Sequence, residues 1–581
     1  MFHFHLLSQL ARHHTDLTEV LKTSDFFLVG CIRDVLLGIV QDPDDIDLTM
    51  GQPSEIYENL NTSGFSTFIT EKFGTITLIP KLEDGSHLNI KYELTPFRAE
   101  SGYADARHPD QIFWSDSLVL DAQRRDFRIN ALYYSQQFIK APSYETEKNI
   151  DDELLIKILE REGFIYLENQ QVLIVQKESY LEQLIVKGKI DLDFLYYLLD
   201  IQPIGYQYEV QKQFSEKIRI HLLIDPTKGL QSMISRKLQT VEADKRFQED
   251  ALRLLRALRF VNVINEKLLE LRKEEKSDPK NKIRLFDFET ETRKAIKRNH
   301  ALLSSIAKER IYQELVKSFS QGNPFGLIGL IDEAEMLPIL FPALAKTKHY
   351  DQPIRYHPFD IYAHIILTLY HLQQINKNYL VRFAMLYHDV GKVGQYEQYL
   401  NLSKEEIRKV LAGPMNHRFS SGELMKEDFR NLGFSNKEIE EIKRYIKEHH
   451  TPEILLSSPS SRAKKLKKLL SEAGYEKVQN LLDINIADRL GMYNPLQNSS
   501  DLSDSYYLKE LLDEIQNSEG QFKKSDLAIS ADIMKEFEFK PGKIIELLDI
   551  AFDWVIDVKN RNIPDQIFAN LRNYLKHRKE K

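Results

Sequence analysis

A single cysteine, Cys31, and two tryptophans stand among 581 residues. One thiol cannot close an internal disulfide, which excludes the disulfide-stapled scaffolds of small secreted proteins. No apolar run approaches the ~18 to 20 residues of a membrane span, and the opening MFHFHLLSQLARHH does not follow the basic, apolar and small-residue order of a secretory signal. A cytoplasmic protein with no membrane partner is therefore expected. Neither sign of charge dominates: Lys+Arg 79 against Asp+Glu 87 leaves a formal −8. That balance argues against wholesale coating of nucleic acid but leaves room for a local basic face. No repeat of fixed period is present. What is there, 42% hydrophobic and 29% charged residues, is the make-up of a globular chain long enough for about three to five domains.

Short apolar runs at Phe26 to Val29 and Ile46 to Thr49 alternate with helical patterns at Ile32 to Leu37 and from Ser54. Further strand candidates follow at Ser66 to Thr70, Thr75 to Pro80 and Leu88 to Thr95, and together they predict a small mixed sheet. From Ser143 to about Leu222 the texture changes. A helical DDELLIKILEREG, an alternating FIYLENQQVLIVQ that predicts a hairpin, and a helical DFLYYLLD mark an inserted subdomain. From about Leu223 onward the pattern is mainly helical, with breaks at 322–325, 352–358, 412–415, 457–461 and 493–505.

Three constellations carry chemistry. In FLVGCIRDVLLGIVQDPDDIDLTM, residues 27–50, a strand runs into Gly30 and a helix opens at once with Arg33 in its first turn, so backbone N–H groups and a guanidinium can face a polyphosphate together. Asp45 and Asp47 follow at strand alternation, which points both carboxylates to one face. Side by side they repel unless a cation lies between them, and hard oxygen ligands beside a phosphate-binding turn suit Mg²⁺. Glu93, on the later strand NIKYELTPFR, is a candidate third ligand, and such a trio suits a pair of metals ~3.5 to 4 Å apart. D-x-D alone is common on surface loops; the surrounding residues give it weight. In EDALRLLRALRF, residues 249–260, Asp250 and Arg253 stand three apart in a helical pattern and are expected to share a face. A carboxylate there accepts from the exocyclic amine of cytosine or adenine, and a guanidinium donates to the neighbouring ring atom, so the pair can choose C and A without a template. In residues 356–394, His364 lies in a helical pattern and His388-Asp389 ends another just before Gly391-Lys392.

Residues 27–50 resemble the G-[GS]-x-x-R-D-x-L-L-G and D-x-D signature of the DNA polymerase β-like nucleotidyltransferases, in particular the class II tRNA nucleotidyltransferases (CCA-adding enzymes) and bacterial poly(A) polymerases. FRAESGYADARHP, residues 97–109, is similar to the family segment after the third acidic residue, which supports Glu93. DAQRRDFRINALYY, residues 121–134, is similar to the motif that holds ribose and phosphates, and the resemblance assigns those roles to Arg124, Arg125 and Asp126, with Asn130 supporting. The Asp250 and Arg253 stretch resembles the family's base-recognition motif. Residues 356–394 resemble the HD metal-dependent phosphohydrolases, whose ligands would be His364, His388, Asp389 and a distant acid, best matched by Asp488 with Asp483 as a competitor. A divalent transition metal or Mg²⁺ fits that set. His417, His449 and His450 fall where further HD histidines often lie; His357 and His371 have no such context.

Two positions depart from the family pattern. Cys31 replaces a second small residue after Gly30, which keeps the turn feasible and makes the site a candidate for thiol sensitivity. In IDPTKGLQSM, residues 224–233, Ser232 replaces an expected acid at a segment linked in the family to reorientation between C and A. SSRAKKLKKLL, residues 460–470, is a basic stripe that suits RNA phosphates or plain solvent. Residues 525–556 are similar to the C-terminal segment of HD-bearing relatives.

The resemblance implies an α+β fold: a small mixed-sheet nucleotidyltransferase head followed by an all-helical body that includes an HD domain. Its expected divisions are a catalytic head at 1–139, the insertion at 140–222, a helical neck and body with base recognition and RNA binding at 223–345, an HD domain at 346–500 and a helical tail at 501–581. The insertion is either an added RNA contact or a structural embellishment. The implied activity is template-independent addition of CCA to tRNA 3′ ends from CTP and ATP with release of pyrophosphate, using Mg²⁺. Its rivals are a poly(A) polymerase, a partial CC- or A-adding enzyme, or a chain that is mainly an HD phosphohydrolase acting on RNA ends. The oligomeric state is not legible.

Overall fold

The computed structural model describes residues 2–51, 64–70, 74–82, 86–101, 111–142, 151–167, 172–187, 189–200, 214–274, 284–350, 359–394, 417–457, 459–492, 502–518, 520–530 and 541–579. The helix expected from Ser54, most of the segment 97–109 and His357 lie outside the described residues. The chain forms two units, Met1–Glu314 with Ala334–Met336, and Leu315–Glu333 with Leu337–Lys581.

The first unit is built on one sheet of nine strands. Their ranges are β1 Phe26–Val29, β2 Asp45–Met50, β3 Phe65–Thr70, β4 Thr75–Pro80, β5 Lys91–Pro96, β6 Tyr133–Pro142, β7 Phe164–Leu167, β8 Val172–Val175 and β9 Phe214–Ile224. Across the sheet the order is β3-β4-β5-β2-β1-β6-β9-β8-β7. β1, FFLV, is buried at all four positions, as a central strand covered on both faces must be. On β2 the exposed Asp45 and Asp47 alternate with buried Ile46 and Leu48, so the pleat alone separates chemistry from core. The amphipathic helix α1, Leu7–Leu21, lies against the sheet: the His14 ring stacks on Phe26 with centroids 4.3 Å apart, and the Tyr134 hydroxyl donates to the Leu7 carbonyl.

Residues 140–222 differ from the inserted subdomain expected of them. They supply β7, β8 and most of β9, and β9 runs antiparallel to β6, so the insertion widens the head sheet. The reason is apolar: VLIV of β8 is buried throughout, and Leu173 and Val175 share a core with Phe27, Val29 and Tyr133 of the head. A four-residue run buried on both faces belongs in a sheet whose two faces are both covered. The hairpin and the flanking helices α3, Asp152–Glu162, and α4, Leu192–Asp200, form where their patterns place them. The expected boundary at Leu223 falls inside β9.

Beyond the sheet the chain turns helical, apart from a two-residue parallel pairing of Lys237–Leu238 with Asp287–Phe288. The second unit is helical among its described residues. Its helices start on side-chain caps. Asp360 accepts from Ala363 N before Ile361–Ile375, Asn378 from Leu380 N before Tyr379–Tyr387, and Ser435 with Glu438 forms a reciprocal capping box before Asn436–Glu448. Tyr475–Gly491 is buried along most of its length, and Phe383 stacks on Phe319 at 3.8 Å.

Candidate functional site

In the head, β1 ends at Gly30, whose φ of +74° lies in the left-handed region. A Cβ there would stand 2.9 Å from Asp47 Oδ2, so glycine serves both the turn and the approach of the carboxylate. Helix α2, Ile32–Leu36, opens immediately after. Register sets the acids: Asp47 faces Val29 on one side and Glu93 on the other, directly across the parallel pair β2 and β5. Loss of solvent around its carboxylate, with Asp45 and Glu93 adding negative charge against the opposing pull of Arg125, raises Asp47 to about 6. An excess of carboxylate on one face is the electrostatic setting a hard divalent cation relieves. The three are not drawn within 4.8 Å of one another, and Lys91 holds Glu93 in an ion pair.

The cations expected to meet phosphate are tied down. Arg33 is buried and donates to Asp34 through Nε and Nη2, at 2.9 and 2.7 Å, and to Asn130 Oδ1 at 2.5 Å. Arg124 and Arg125 both fork onto Asp121, a fully buried carboxylate that also accepts from the Tyr133 hydroxyl at 2.8 Å. Burial opposes the charge on Asp121, but the two guanidiniums outweigh it and hold its pKa near 2. Asp126 accepts from Asn130 Nδ2 at 2.9 Å and from Arg256 Nε and Nη2 at 2.9 and 2.5 Å, and its pKa also falls to about 2 against the cost of burial. Asp34, Asp121, Arg256 and the aromatic Phe260, over which Arg33, Arg256 and Arg259 all lie at 4.5 to 5.5 Å, went unmarked in the sequence reading. Asp34 and Asp121 stand inside the quoted motifs, and the repeated R-x-x-R spacing of 253 and 256 was a usable signal.

Asp250 and Arg253 do not share a helix face. The helix breaks between α6, Gly229–Ile234 being α5 and Ala243–Glu249 being α6, and α7, Leu252–Glu274, with Asp250 in extended conformation at the break. The carboxylate forces the break, because it accepts from Leu252 N at 3.1 Å in the manner of a cap. Arg310 clamps the same carboxylate through two N–H bonds of 3.1 and 2.9 Å. Arg253 donates to Glu249 and, at 3.1 Å, to the backbone carbonyl of Arg124, which ties the base motif to the phosphate motif.

Cys31 meets the thiol-sensitivity expectation with a contrary environment. Burial, reinforced by Asp47 and Asp34, pushes its thiol well above the usual range, so little thiolate is present. Ser232 is buried and donates to the Lys237 carbonyl, a bond that an ionised acid cannot make. Asp225 accepts from Gly229 N at 2.6 Å, Leu230 N at 3.0 Å and Gln176 Nε2 at 2.6 Å, while Gln231 donates to Glu160. The insertion thus grips the segment 224–233 at two points.

In the second unit, His364 on α8, Ile361–Ile375, meets His388 and Asp389, which follow α9, Tyr379–Tyr387. His364 Nε2 lies 3.3 Å from Asp389 Oδ2 and 3.1 Å from Asp488 Oδ1; His388 Nε2 lies 3.4 Å from both oxygens. His388 Nδ1 donates to the Met385 carbonyl at 2.7 Å, which leaves Nε2 as the ring's free ligand atom. Burial disfavours imidazolium, yet Asp389 and Asp488 outweigh it and raise His388 to about 10. The donor set fits a divalent cation: His364, His388, Asp389 and Asp488 are all buried and bring two imidazoles and two carboxylates together. Asp483 is elsewhere, bonded to Asn376 and Lys509, so of the two competing acids only Asp488 reaches the cluster. His371 is half-buried and edge-on to Tyr370. Gly391 allows this assembly: a Cβ there would lie 2.5 Å from the His417 carbonyl and from Ser421 N.

Three family models match in chain order: the poly A polymerase head domain over residues 26–151, the probable RNA and SrmB-binding site of polymerase A over 285–347, and the HD domain over 361–493. The chain is similar to the CCA-adding enzyme of Lactobacillus delbrueckii subsp. bulgaricus, 29% identical over 294 residues that cover 50% of this chain and 45% of the relative. It is also similar to that of Limosilactobacillus reuteri, 28% identical over 301 residues, 52% of this chain and 46% of the relative. The chain thus spans about half the length of the curated relatives it matches. Among solved structures, the Bacillus stearothermophilus CCA-adding enzyme in complex with CTP is 18% identical with a TM-score of 0.54, covering 99% of this chain and 98% of that one. A CCA-adding enzyme in complex with ATP is 16% identical with a TM-score of 0.52 over 98% of each chain. These likenesses establish the fold: a mixed-sheet head followed by a helical body that contains an HD domain. No described helix is long and apolar enough to cross a membrane.

Proposed function

We propose that this chain, which joins a poly A polymerase head domain to an RNA-binding segment and an HD domain, is a nucleotidyltransferase that completes the CCA end of tRNA in the cytoplasm. The tRNA 3′ hydroxyl attacks the α-phosphate of CTP or ATP and pyrophosphate leaves. Asp45, Asp47 and Glu93 would hold Mg²⁺, which supplies charge neutralisation at the triphosphate and acidifies the attacking hydroxyl. The Gly30 turn brings backbone N–H groups to the phosphates, Arg124 and Arg125 are held ready by Asp121, and Asp126 with Asn130 positions the ribose side. Asp250 and Arg253 select the base; Arg253, bonded to the Arg124 carbonyl, keeps the base and phosphate contacts in one frame. The observation that carries this reading is the acid face: Asp47 set opposite Glu93 by register and against Gly30 by a contact only glycine permits.

The test extends an end-labelled tRNA lacking CCA with Mg²⁺ and CTP, ATP or both, read on a sequencing gel. Two additions with CTP and a stop at three with both nucleotides are expected, and Asp47→Ala should abolish extension while leaving tRNA binding intact. A long A ladder would identify a poly(A) polymerase and a stop at two a partial enzyme; normal extension by Asp47→Ala would remove the metal role. The HD cluster supports a second activity, metal-dependent hydrolysis of RNA phosphoester ends, because His364, His388, Asp389 and Asp488 converge in one pocket. Its sign is phosphate release from a simple phosphoester that His388→Ala eliminates.

A further inference from the structure

Behind the acid face of the head sheet lies a buried histidine that the proposed chemistry does not touch. His13, on α1, is 2% exposed, and both of its ring nitrogens are engaged. Nε2 lies 2.8 Å from Asp42 Oδ1 and Nδ1 lies 2.9 Å from the Tyr92 hydroxyl, with the His13 and Tyr92 rings edge to face at 5.9 Å. An ionised carboxylate only accepts, so Nε2 donates to Asp42, and in the neutral ring Nδ1 accepts from the hydroxyl. Burial, followed by the charges of Asp16 and Asp42, raises Tyr92 to about 12, so its hydroxyl keeps the proton that it donates.

The two partners belong to the two strands that carry the acids. Asp42 stands in the bend at 41–44 that leads into β2, three residues before Asp45, and its other oxygen holds Arg12 of α1. Tyr92 is on β5 between Lys91 and Glu93, opposite Ile46 in the parallel register. Strand alternation sends Ile46 and Tyr92, both buried, to one face of the sheet and Asp45, Asp47 and Glu93 to the other. The backbone joins the same bend to the same strand, with Lys91 N donating to the Asp44 carbonyl at 2.7 Å. One buried imidazole thus ties the entry of β2 to β5 from the face opposite the carboxylates. Like charges on adjacent strands repel, so the spacing of these acids has to be held by other groups until a cation arrives.

We infer that His13 is a positioning residue for the acid face: through Asp42 and Tyr92 it sets where Asp45, Asp47 and Glu93 stand for a divalent cation. The inference rests on the reading of those three acids as metal ligands. The test uses the full chain carrying His388→Ala and Asp389→Ala, which weaken the HD cluster's own metal binding. Mn²⁺ is titrated in the presence of CTP, with free Mn²⁺ read from its paramagnetic resonance signal, and the equivalents that Asp47→Ala removes belong to the head. His13→Phe keeps a ring and loses both bonds. It should weaken those equivalents by about tenfold or more, as loss of a partner behind metal ligands does. The Mg²⁺ needed for half-maximal CTP incorporation should rise in parallel, with the KM for CTP at saturating Mg²⁺ unchanged. His13→Gln, whose amide can donate to Asp42 and accept from Tyr92, should recover most of the loss. A role in stability alone would lower activity alike at every Mg²⁺ concentration and leave the Mn²⁺ affinity of the folded chain where it was. Unchanged Mn²⁺ affinity in a folded His13→Phe therefore overturns the inference. Should His13→Phe fail to fold, Tyr92→Phe deletes the hydroxyl alone and must show the weakening; an unaltered affinity there overturns it equally. Mn²⁺ binding that His13→Phe weakens, in a parent chain that extends no tRNA, would refute the transferase reading and leave the role of His13 standing. A parent with no equivalent sensitive to Asp47→Ala would refute both.

Discussion

Asp121→Asn is the most informative single change in the head, because one buried carboxylate holds both motif arginines. It removes the ionised acceptor of Arg124, Arg125 and the Tyr133 hydroxyl while keeping side-chain volume. A carboxyl whose pKa falls from an ordinary value of about 3.8 to about 2 on folding stabilises the folded state by about 2.4 kcal/mol at neutral pH. Leaving two half-buried guanidiniums without their buried partner costs a further share, and broken buried pairs run to ~3–5 kcal/mol in all. The chain offers a clean reporter, since its two tryptophans, Trp114 and Trp554, lie one in each unit. In a Trp554→Phe background, urea unfolding followed by Trp114 fluorescence should show the midpoint of Asp121→Asn lowered by roughly 1 M or more, for an m-value of ~2 kcal/mol/M. The difference should hold from neutral pH down to about 4 and narrow as pH falls toward 2, where the native Asp121 takes up its proton. The KM for CTP should rise as the arginines lose their fixed position. An unchanged midpoint together with an unchanged KM would show that Asp121 anchors neither arginine.

Arg310→Ala frees the Asp250 carboxylate from a two-bond clamp. One lost charge-assisted bond, worth about 1.5 kcal/mol, should raise UTP or GTP misincorporation relative to CTP by roughly tenfold; an unaltered ratio on a sequencing gel counts against Arg310 as the residue that aims Asp250. Gln176→Leu removes the insertion's 2.6 Å bond to Asp225, a buried acid already raised by burial. It should destabilise the first unit by about 1–3 kcal/mol in the same Trp114 assay, whereas an unmoved midpoint would make the insertion's grip on residues 224–233 incidental.

The strands of the head were readable because β-alternation and the VLIV and FFLV runs are local signals. Strand bounds at Phe26–Val29 and Thr75–Pro80 coincide with those the apolar runs predict. The insertion was not readable as part of the sheet, because strand pairing is a long-range fact. FIYLENQQVLIVQ announces a hairpin but not that its second strand will run beside β9. Asp250 failed for the opposite reason: its helical neighbours on both sides suggested one helix, and only the short side-chain bond to Leu252 N reveals the break.

The deeper gap concerns which acids are used up. Asp34, Asp45, Asp47, Glu93, Asp121 and Asp126 all lie in or near family-like motifs, and sequence spacing treats them as one population. The fold divides them by counter-charge. Asp34 is neutralised by Arg33, Asp121 by Arg124 and Arg125, and Asp126 by Arg256, so these three spend their charge on holding guanidiniums in place. Asp45 and Asp47 face outward from β2, and no arginine pairs with either among the described residues. Asp45 and Asp47, which no arginine holds, are available to a cation, Glu93 joins them only by giving up its pair with Lys91, and the arginine-paired set fixes where the phosphate-binding arginines stand around them. The division follows from three-dimensional pairing alone, and it also explains why the arginines expected to meet substrate directly are held by acids: a guanidinium carries five donors in a rigid fork, and an acid that orients it fixes where its positive charge stands.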